Sequence, residues 1–192
     1  MNIILSAMDE FGRSGYQGAS MDEISRKAGI TKGALYWHFE GKLDLYLAVF
    51  DHAMEEYSRS LEKAMASSSE PRTVLEDLAT CIFSIYAEDT AVSRFYSSMM
   101  MDSKLMGEAD IASKTEQIYS EYRKAITDII ENWDVAKKFN GAKLRAASIS
   151  YIALIEGTAL QWMLDKDSFE LEREGPQGVE LLLDGIEMAI RG

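Results

Sequence analysis

The residues best equipped for chemistry lie close together: Thr31, Lys32, Gly33, Tyr36, Trp37 and His38 in one short segment, with Ser20 upstream and Lys42 downstream. Their chemistry is recognition rather than bond making. Hydroxyls, an ammonium, an indole and an imidazole hydrogen-bond or stack on base edges and phosphates. Catalytic equipment is sparse by comparison. His38 and His52 are the only histidines, and Cys81 is the only cysteine. No nucleophile–base set, metal-ligand spacing or phosphate-cradling glycine loop accompanies them, so the residues point to no enzyme, no metal and no cofactor.

Two short helices must position that segment. Ser20 followed by Glu23 has the spacing of a capping box, which predicts a helix start. Ile24 and Ala28 supply its apolar face, and Gly29 stands where a left-handed residue ends it cheaply. Ile30 returns the chain to the core, and Thr31 is a good N-cap for a second helix through about Phe39. Leu35 and Phe39, one turn apart, face inward, leaving Lys32, Gly33, Tyr36, Trp37 and His38 toward solvent or a partner. Gly33 and Ala34 lack bulk, so the backbone can approach a groove closely. A glycine-containing turn between two such helices is the helix-turn-helix unit, whose second helix enters the major groove.

The run Thr31-Lys32-Gly33-Ala34-Leu35-Tyr36-Trp37-His38-Phe39, followed by Lys42 and Leu45, resembles the recognition-helix signature of the TetR family of bacterial one-component repressors. Upstream, Phe11-Gly12, Gly15-Tyr16, Ser20-Met21-Asp22-Glu23-Ile24 and Ala28-Gly29 resemble its first two helices, so the likeness covers residues 4–50. It implies that Lys32, Gly33, Tyr36, Trp37 and His38 face the major groove, with Lys32, Trp37 and His38 toward base edges or thymine methyls. Tyr36 would bond a phosphate or a base, and Lys42, opening the next helix, a phosphate. Ser20 and Thr31 offer hydroxyls to phosphates beside their capping duties. Family members usually carry a basic arm before the first helix, whereas this chain begins at Met1-Asn2-Ile3, almost inside it.

The charge balance sharpens this picture. The net charge is −12, yet residues 1–42 are neutral: Arg13, Arg26, Lys27, Lys32 and Lys42 against Asp9, Glu10, Asp22, Glu23 and Glu40. The rest of the chain therefore carries all the excess acid. The local face decides contact with phosphate, and an acidic body repels DNA elsewhere, so modest affinity with a clear salt dependence is expected. Cys81, in an apolar run, is expected to pack as a small hydrophobe. No run has the length of a membrane span and no cleavable signal precedes the first helix, so no membrane partner and a cytoplasmic home are expected.

The expected fold is all-α with about nine helices. An N-terminal three-helix helix-turn-helix DNA-binding domain occupies residues 1–46, and a larger helical ligand-binding and dimerisation domain residues 47–192. Leu43, Tyr46, Phe50, Ala53, Tyr57 and Leu61, spaced by three and four, predict a long helix after Lys42. Further helices are expected over 71–87, 90–104, 110–133, 141–165 and 176–191, with Pro71 and Pro176 as helix openers.

The 144–164 stretch is apolar on nearly every face, and the final helix has a similar surplus, including Leu181, Met188 and Ile190. Pairing of both helices with their copies would cover them, giving a homodimer through Tyr151, Ile152, Ile155, Leu160, Met163, Leu182, Leu183 and Ile186. Twofold symmetry then predicts a palindromic double-stranded operator. Large or pliable side chains supply candidates for an effector site: Phe83, Tyr86, Phe95, Tyr96, Met99, Met100, Tyr119 and Tyr122, with Met101, Met106 and Trp133 beside them. Glu156, an acid inside the apolar helix, either meets a cationic or hydrogen-bonding ligand or is satisfied by Arg145 or a tyrosine. An apolar or cationic small-molecule effector follows. Leu154-Ile155-Glu156-Gly157, Gln161-Trp162 and 178–185 also resemble the ligand domain of choline- and betaine-responsive regulators. The whole implies a ligand-relieved repressor, with a ligand-dependent activator or co-repressed regulator as the alternative on the same fold. A helical interaction protein that leaves DNA alone ranks behind both.

Overall fold

The computed structural model describes residues 3–102 and 107–189. Among them it is all-helical, with nine α-helices: α1 Ile3–Gly18, α2 Met21–Ala28, α3 Lys32–His38, α4 Lys42–Met65, α5 Pro71–Ala87, α6 Ala91–Met101, α7 Ala109–Glu131, α8 Gly141–Leu164 and α9 Leu171–Met188. A 3-10 turn, Asp134–Lys138, precedes α8. Contacts divide the chain into two compact units, Met1–Arg59 with Glu88–Ser113, and Ser60–Ala87 with Lys114–Gly192. Met106, named beside the expected effector residues, and Ile190, named in the apolar surplus near the carboxy terminus, lie outside the described residues.

The first unit is organised around aromatic side chains. Phe11 and Tyr16 of α1 both meet the Tyr46 ring edge-on, at 5.0 and 5.1 Å. Phe95 of α6 lies 5.3 Å from the same ring. Gly12 lets α1 and α6 close up, since a Cβ there would stand 3.0 Å from Arg94 Cβ and from the Phe95 backbone nitrogen. Farther along, Gly15 holds φ 67° and ψ 171°, a conformation essentially restricted to glycine, and it breaks α1 into two helical pieces. That break returns Tyr16 to the core.

An ion-pair network ties the same elements together. Asp9 accepts from Arg13 Nε at 2.9 Å, Lys27 Nζ at 3.2 Å and Arg94 Nη2 at 2.9 Å, while Lys27 also reaches Glu10 at 2.8 Å. Burial alone would raise the Asp9 carboxyl, but the three donors outweigh it and hold it at about 2. With the folded value below the ordinary 3.8, the Asp9 contribution to stability is present above that value and is lost as pH falls toward about 2. Thermal melts of wild type and Asp9→Asn should therefore differ at neutral pH and converge on acidification through this range.

The second unit gathers α5, α8 and α9. Tyr151, fully buried, donates its hydroxyl to the Leu75 carbonyl at 2.6 Å. Arg72 of α5 clasps α9 through Asp184 at 2.8 Å and Glu187 at 3.0 Å, and holds Glu76 of its own helix at 2.8 Å. Thr127 and Ser148 share a 2.8 Å hydrogen bond between α7 and α8.

Local capping departs from expectation at two places. Ser20 does cap α2, its hydroxyl accepting from the Asp22 amide at 3.3 Å. The reciprocal half of the box is not made, because the Glu23 carboxylate is taken by Arg26, whose Nε lies 2.9 Å away. The complete box forms instead at α6, where Thr90 and Ser93 exchange side-chain and backbone bonds of 3.1 and 3.0 Å. The last helix begins at Leu171 rather than at Pro176. A side chain before proline disfavours helical backbone, and Gly175 has none, so the helix passes through.

Candidate nucleic-acid interface

The helix-turn-helix is assembled from buried anchors that leave one face bare. Ile24 and Ala28 of α2 and Leu35 of α3 are buried in the first unit. Gly29 adopts the left-handed conformation at φ 69°, and its amide closes onto the Arg26 carbonyl at 3.2 Å. Thr31 then caps α3, accepting from the Ala34 amide at 3.1 Å. With Leu35 as the single buried residue of α3, the remaining side chains of that helix point outward.

The outward face holds an aromatic pair. Trp37 is 82% exposed and Tyr36 46%. The His38 ring meets the Trp37 ring edge-on at 4.7 Å. Large apolar groups this exposed mark an interaction surface. Gly33 is exposed and has nothing nearer a built Cβ than the Thr31 hydroxyl oxygen at 3.9 Å. Ser20, Thr31 and Lys32 are exposed on the same helix-turn-helix unit.

The cations of this segment are already engaged. Lys32 Nζ sits 2.5 Å from Asp22, Arg13 pairs with Asp9, Arg26 with Glu23, and Lys27 with Asp9 and Glu10. Lys42, expected to meet a phosphate, is held against the end of α1. Its ammonium donates to the carbonyls of Gln17 and Ala19 at 3.2 and 3.4 Å and lies 4.8 Å above the Tyr16 ring. These contacts close the end of α1 onto α4. The sequence reading missed Asp22 as the partner of Lys32, a pairing that joins α2 to α3 and has no periodic signature. Asp22→Asn should release Lys32 and remove a repulsive charge. Non-specific duplex affinity is expected to rise and its salt slope to steepen by about one unit, measured by fluorescence anisotropy over a salt series.

The expected effector residues separate into two groups. Phe83 and Tyr86 on α5, Tyr119 and Tyr122 on α7, and Glu156 on α8 fall in the second unit. There Tyr119 donates to the Glu156 carboxylate, so a tyrosine and not Arg145 answers that acid. Phe83 is fully buried against Gly175. Phe95, Tyr96, Met99 and Met100 fall on α6 in the first unit. Phe95, Tyr96 and Met99 are core there: the Tyr96 ring lies 5.1 Å from that of Tyr57, and its hydroxyl reaches Met54. Trp133 is buried and Met101 exposed.

Of the expected interface residues, Leu160 lies exposed on α8, and the others pack wholly or partly within the chain. Tyr151, Ile152, Ile155, Leu183 and Ile186 are buried within the chain, and Met163 and Leu182 are half-buried. Their faces are spent on α5 and its neighbours. The apolar side chains left outside are Ile149, Leu160 and Leu164 on α8, with Leu181 and Met188 on α9. Helical periodicity alone did not say which stripe of an all-round apolar helix faces inward.

Among the described residues, no group of histidine, cysteine, aspartate or glutamate side chains is placed to hold a metal, and no helix is long and apolar enough to cross a membrane.

Comparison with known proteins agrees with this geometry. Residues 3–49 match the sequence model of the bacterial regulatory proteins of the tetR family. The chain is 25% identical over 171 residues to the HTH-type transcriptional activator FasR of Mycolicibacterium smegmatis, covering 86% of this chain and 75% of that protein. It is 24% identical over 190 residues to the fatty acid metabolism regulator protein of Bacillus subtilis, covering 97% and 94%. The crystal structure of the transcriptional regulator FadR from Bacillus subtilis in complex with stearoyl-CoA superposes with a TM-score of 0.80 at 21% identity, covering 95% of this chain and 97% of that one. The matched segment and the bare recognition helix together support one class, a ligand-responsive DNA-binding transcriptional regulator with a TetR-type amino-terminal domain. The proteins it resembles are regulators by name, one of them a transcriptional activator.

Proposed function

We propose that this chain is a repressor that binds a palindromic operator as a homodimer and leaves it when a small molecule occupies its helical body. The observation that carries the reading is the bare Tyr36–Trp37 face of α3, on a helix whose only buried side chain is Leu35. In this reading residues 1–46 read DNA, and residues 47–192 bind the effector and pair the protomers in a cytoplasmic protein. Lys32, Gly33, Tyr36, Trp37 and His38 enter the major groove, and the Ser20 and Thr31 hydroxyls lie along phosphates. Lys42 serves by fixing α4 against α1. Effector and operator binding are reciprocally linked, whichever state the effector favours.

Pairing of copies is proposed through the exposed side chains of α8 and α9. Leu164 and Leu181 are 67% and 74% exposed, on helices that pack together within one unit. Replacing both with glutamate should convert a dimer to a monomer by light scattering and weaken operator binding, since a single half-site carries only part of the contact energy. A monomeric wild type would end this part of the reading.

The effector falls in the apolar or cationic class, as the resemblance of the carboxy-terminal helices to choline- and betaine-responsive regulators suggests. The Bacillus subtilis FadR structure, similar in fold, is of a complex with stearoyl-CoA, which supports an effector with a long apolar chain. A ligand-dependent activator is the second reading, favoured by the activator role in the name of FasR. The test is a gel shift with DNA flanking the gene. Retardation of that fragment but not of a shuffled fragment of equal composition is expected; equal retardation of both overturns the reading.

A further inference from the structure

We infer that Arg94 is a positioning residue for operator recognition: through Asp9 it fixes the roll of α2, and with it the angle at which α3 presents Tyr36 and Trp37. The inference rests on the reading of α3 as the helix that meets DNA, and it names what sets that helix in place.

α3 does not set its own orientation. Leu35 is its single buried side chain. Its start is tied to α2 by the Gly29 amide on the Arg26 carbonyl at 3.2 Å, the Ile30 amide on the Ser25 carbonyl at 3.0 Å and the Lys32–Asp22 pair at 2.5 Å. α3 therefore follows α2. The buried residues of α2 are Met21, Ile24, Ser25 and Ala28, which form one stripe at spacings of three and four. Apolar burial is non-directional, so seating along one stripe leaves rolling about it as the softest motion. Lys27, beside that stripe, opposes the roll. Its ammonium meets Asp9 Oδ2 at 3.2 Å and Glu10 Oε2 at 2.8 Å on α1.

Asp9 divides its two oxygens between two neighbouring helices. Oδ2 serves Lys27 of α2, while Oδ1 accepts from Arg94 Nη2 of α6 at 2.9 Å. Arg13 shares Oδ1 at 2.9 Å, but it lies on the same helix as Asp9 and links no second element. A carboxylate is planar, so a turn that moves one oxygen moves the other. Arg94 resists such a turn. Its Nη1 is held by the Asp89 carboxylate at 2.5 Å and the Asp89 carbonyl at 3.1 Å. Its backbone is closed onto Gly12, where a Cβ would stand 3.0 Å from Arg94 Cβ. The guanidinium keeps this geometry although its buried Nε finds no partner in the protein.

A roll of α2 would tilt the exposed side chains of α3. Hydrogen bonds to base edges weaken steeply with angle, whereas attraction to the phosphate backbone depends little on it. Loss of Arg94 should therefore lower discrimination between sequences more than overall affinity for duplex.

The experiment uses the full-length protein and two labelled duplexes, the fragment flanking the gene and its shuffled counterpart, with binding followed by fluorescence anisotropy. The readout is the ratio of the two affinities, in which a change of protein charge cancels because both duplexes feel it. Arg94→Gln should lower the ratio about tenfold, and Lys27→Gln by at least as much. The double variant should lose no more than Lys27→Gln alone, because both residues act through Asp9. Asp89→Ala alters a side chain that is 90% exposed, so it decides the matter if Arg94→Gln fails to fold. It should lower the ratio about threefold even though it removes a negative charge, and should do nothing further in the Arg94→Gln background. A merely structural ion pair would lower the melting temperature and leave the ratio unchanged, and that result overturns the inference. Additive losses for Arg94→Gln and Lys27→Gln overturn it too and leave the repressor standing. Wild type that binds both duplexes equally removes the reading beneath it.

Discussion

Replacing Tyr36 and Trp37 together with alanine is expected to abolish sequence-specific operator binding while leaving the protein folded. Good base-directed contacts each contribute about 1–3 kcal/mol of discrimination, so losing both should reduce operator affinity by about a hundredfold or more. Binding to unrelated duplex should change far less. Residues 1–42 carry no net charge, so in this reading recognition leans on a few placed groups, these two side chains foremost, rather than on a general basic surface. The exposure of both residues makes the test clean, because neither supports the core. Fluorescence anisotropy with operator and shuffled duplexes at fixed salt measures the ratio. A double variant with wild-type discrimination would move the readout away from α3.

Gly175→Ala is expected to destabilise the second unit strongly, although alanine is the better helix former. A Cβ at this position would stand 2.7 Å from two atoms of the Phe83 ring and 2.9 Å from a third. Phe83 is fully buried and cannot swing away. The same Cβ would meet the ring of Pro176, which disfavours helical backbone in any residue before it that has a side chain. Overpacking costs of about 1–3 kcal/mol are usual, and two such clashes at one atom place this substitution at the upper end. At roughly 2–4 °C per kcal/mol for a chain of this size, the loss is readable in a thermal melt. Relief by Phe83→Leu in the Gly175→Ala background would identify the ring as the cause.

The recognition elements were legible in the sequence because each depends on local chemistry. Thr31 caps α3, Gly29 takes the left-handed turn, and Leu35 faces inward, all as residue type and spacing required. The helix count was legible for the same reason. What escaped were facts that belong to packing between distant segments. Whether Lys42 reaches outward or onto the end of α1 depends on where residues 17–19 lie, and no pattern around position 42 records that. Tyr151 and Leu181 are both plausible on an apolar face, yet one is fully buried and the other 74% exposed, because α5 chose the stripe. A tyrosine was one of the partners expected for Glu156, but spacing does not encode that it is Tyr119 of α7.

Footprinting on DNA flanking the gene tests the central claim most directly. The protein should protect two half-sites related by twofold symmetry, with centres about 10 base pairs or a multiple apart, as two α3 helices in successive major grooves require. Protection should fade when Tyr36 and Trp37 are replaced. A single asymmetric footprint, or none at concentrations where the protein is dimeric, would contradict it.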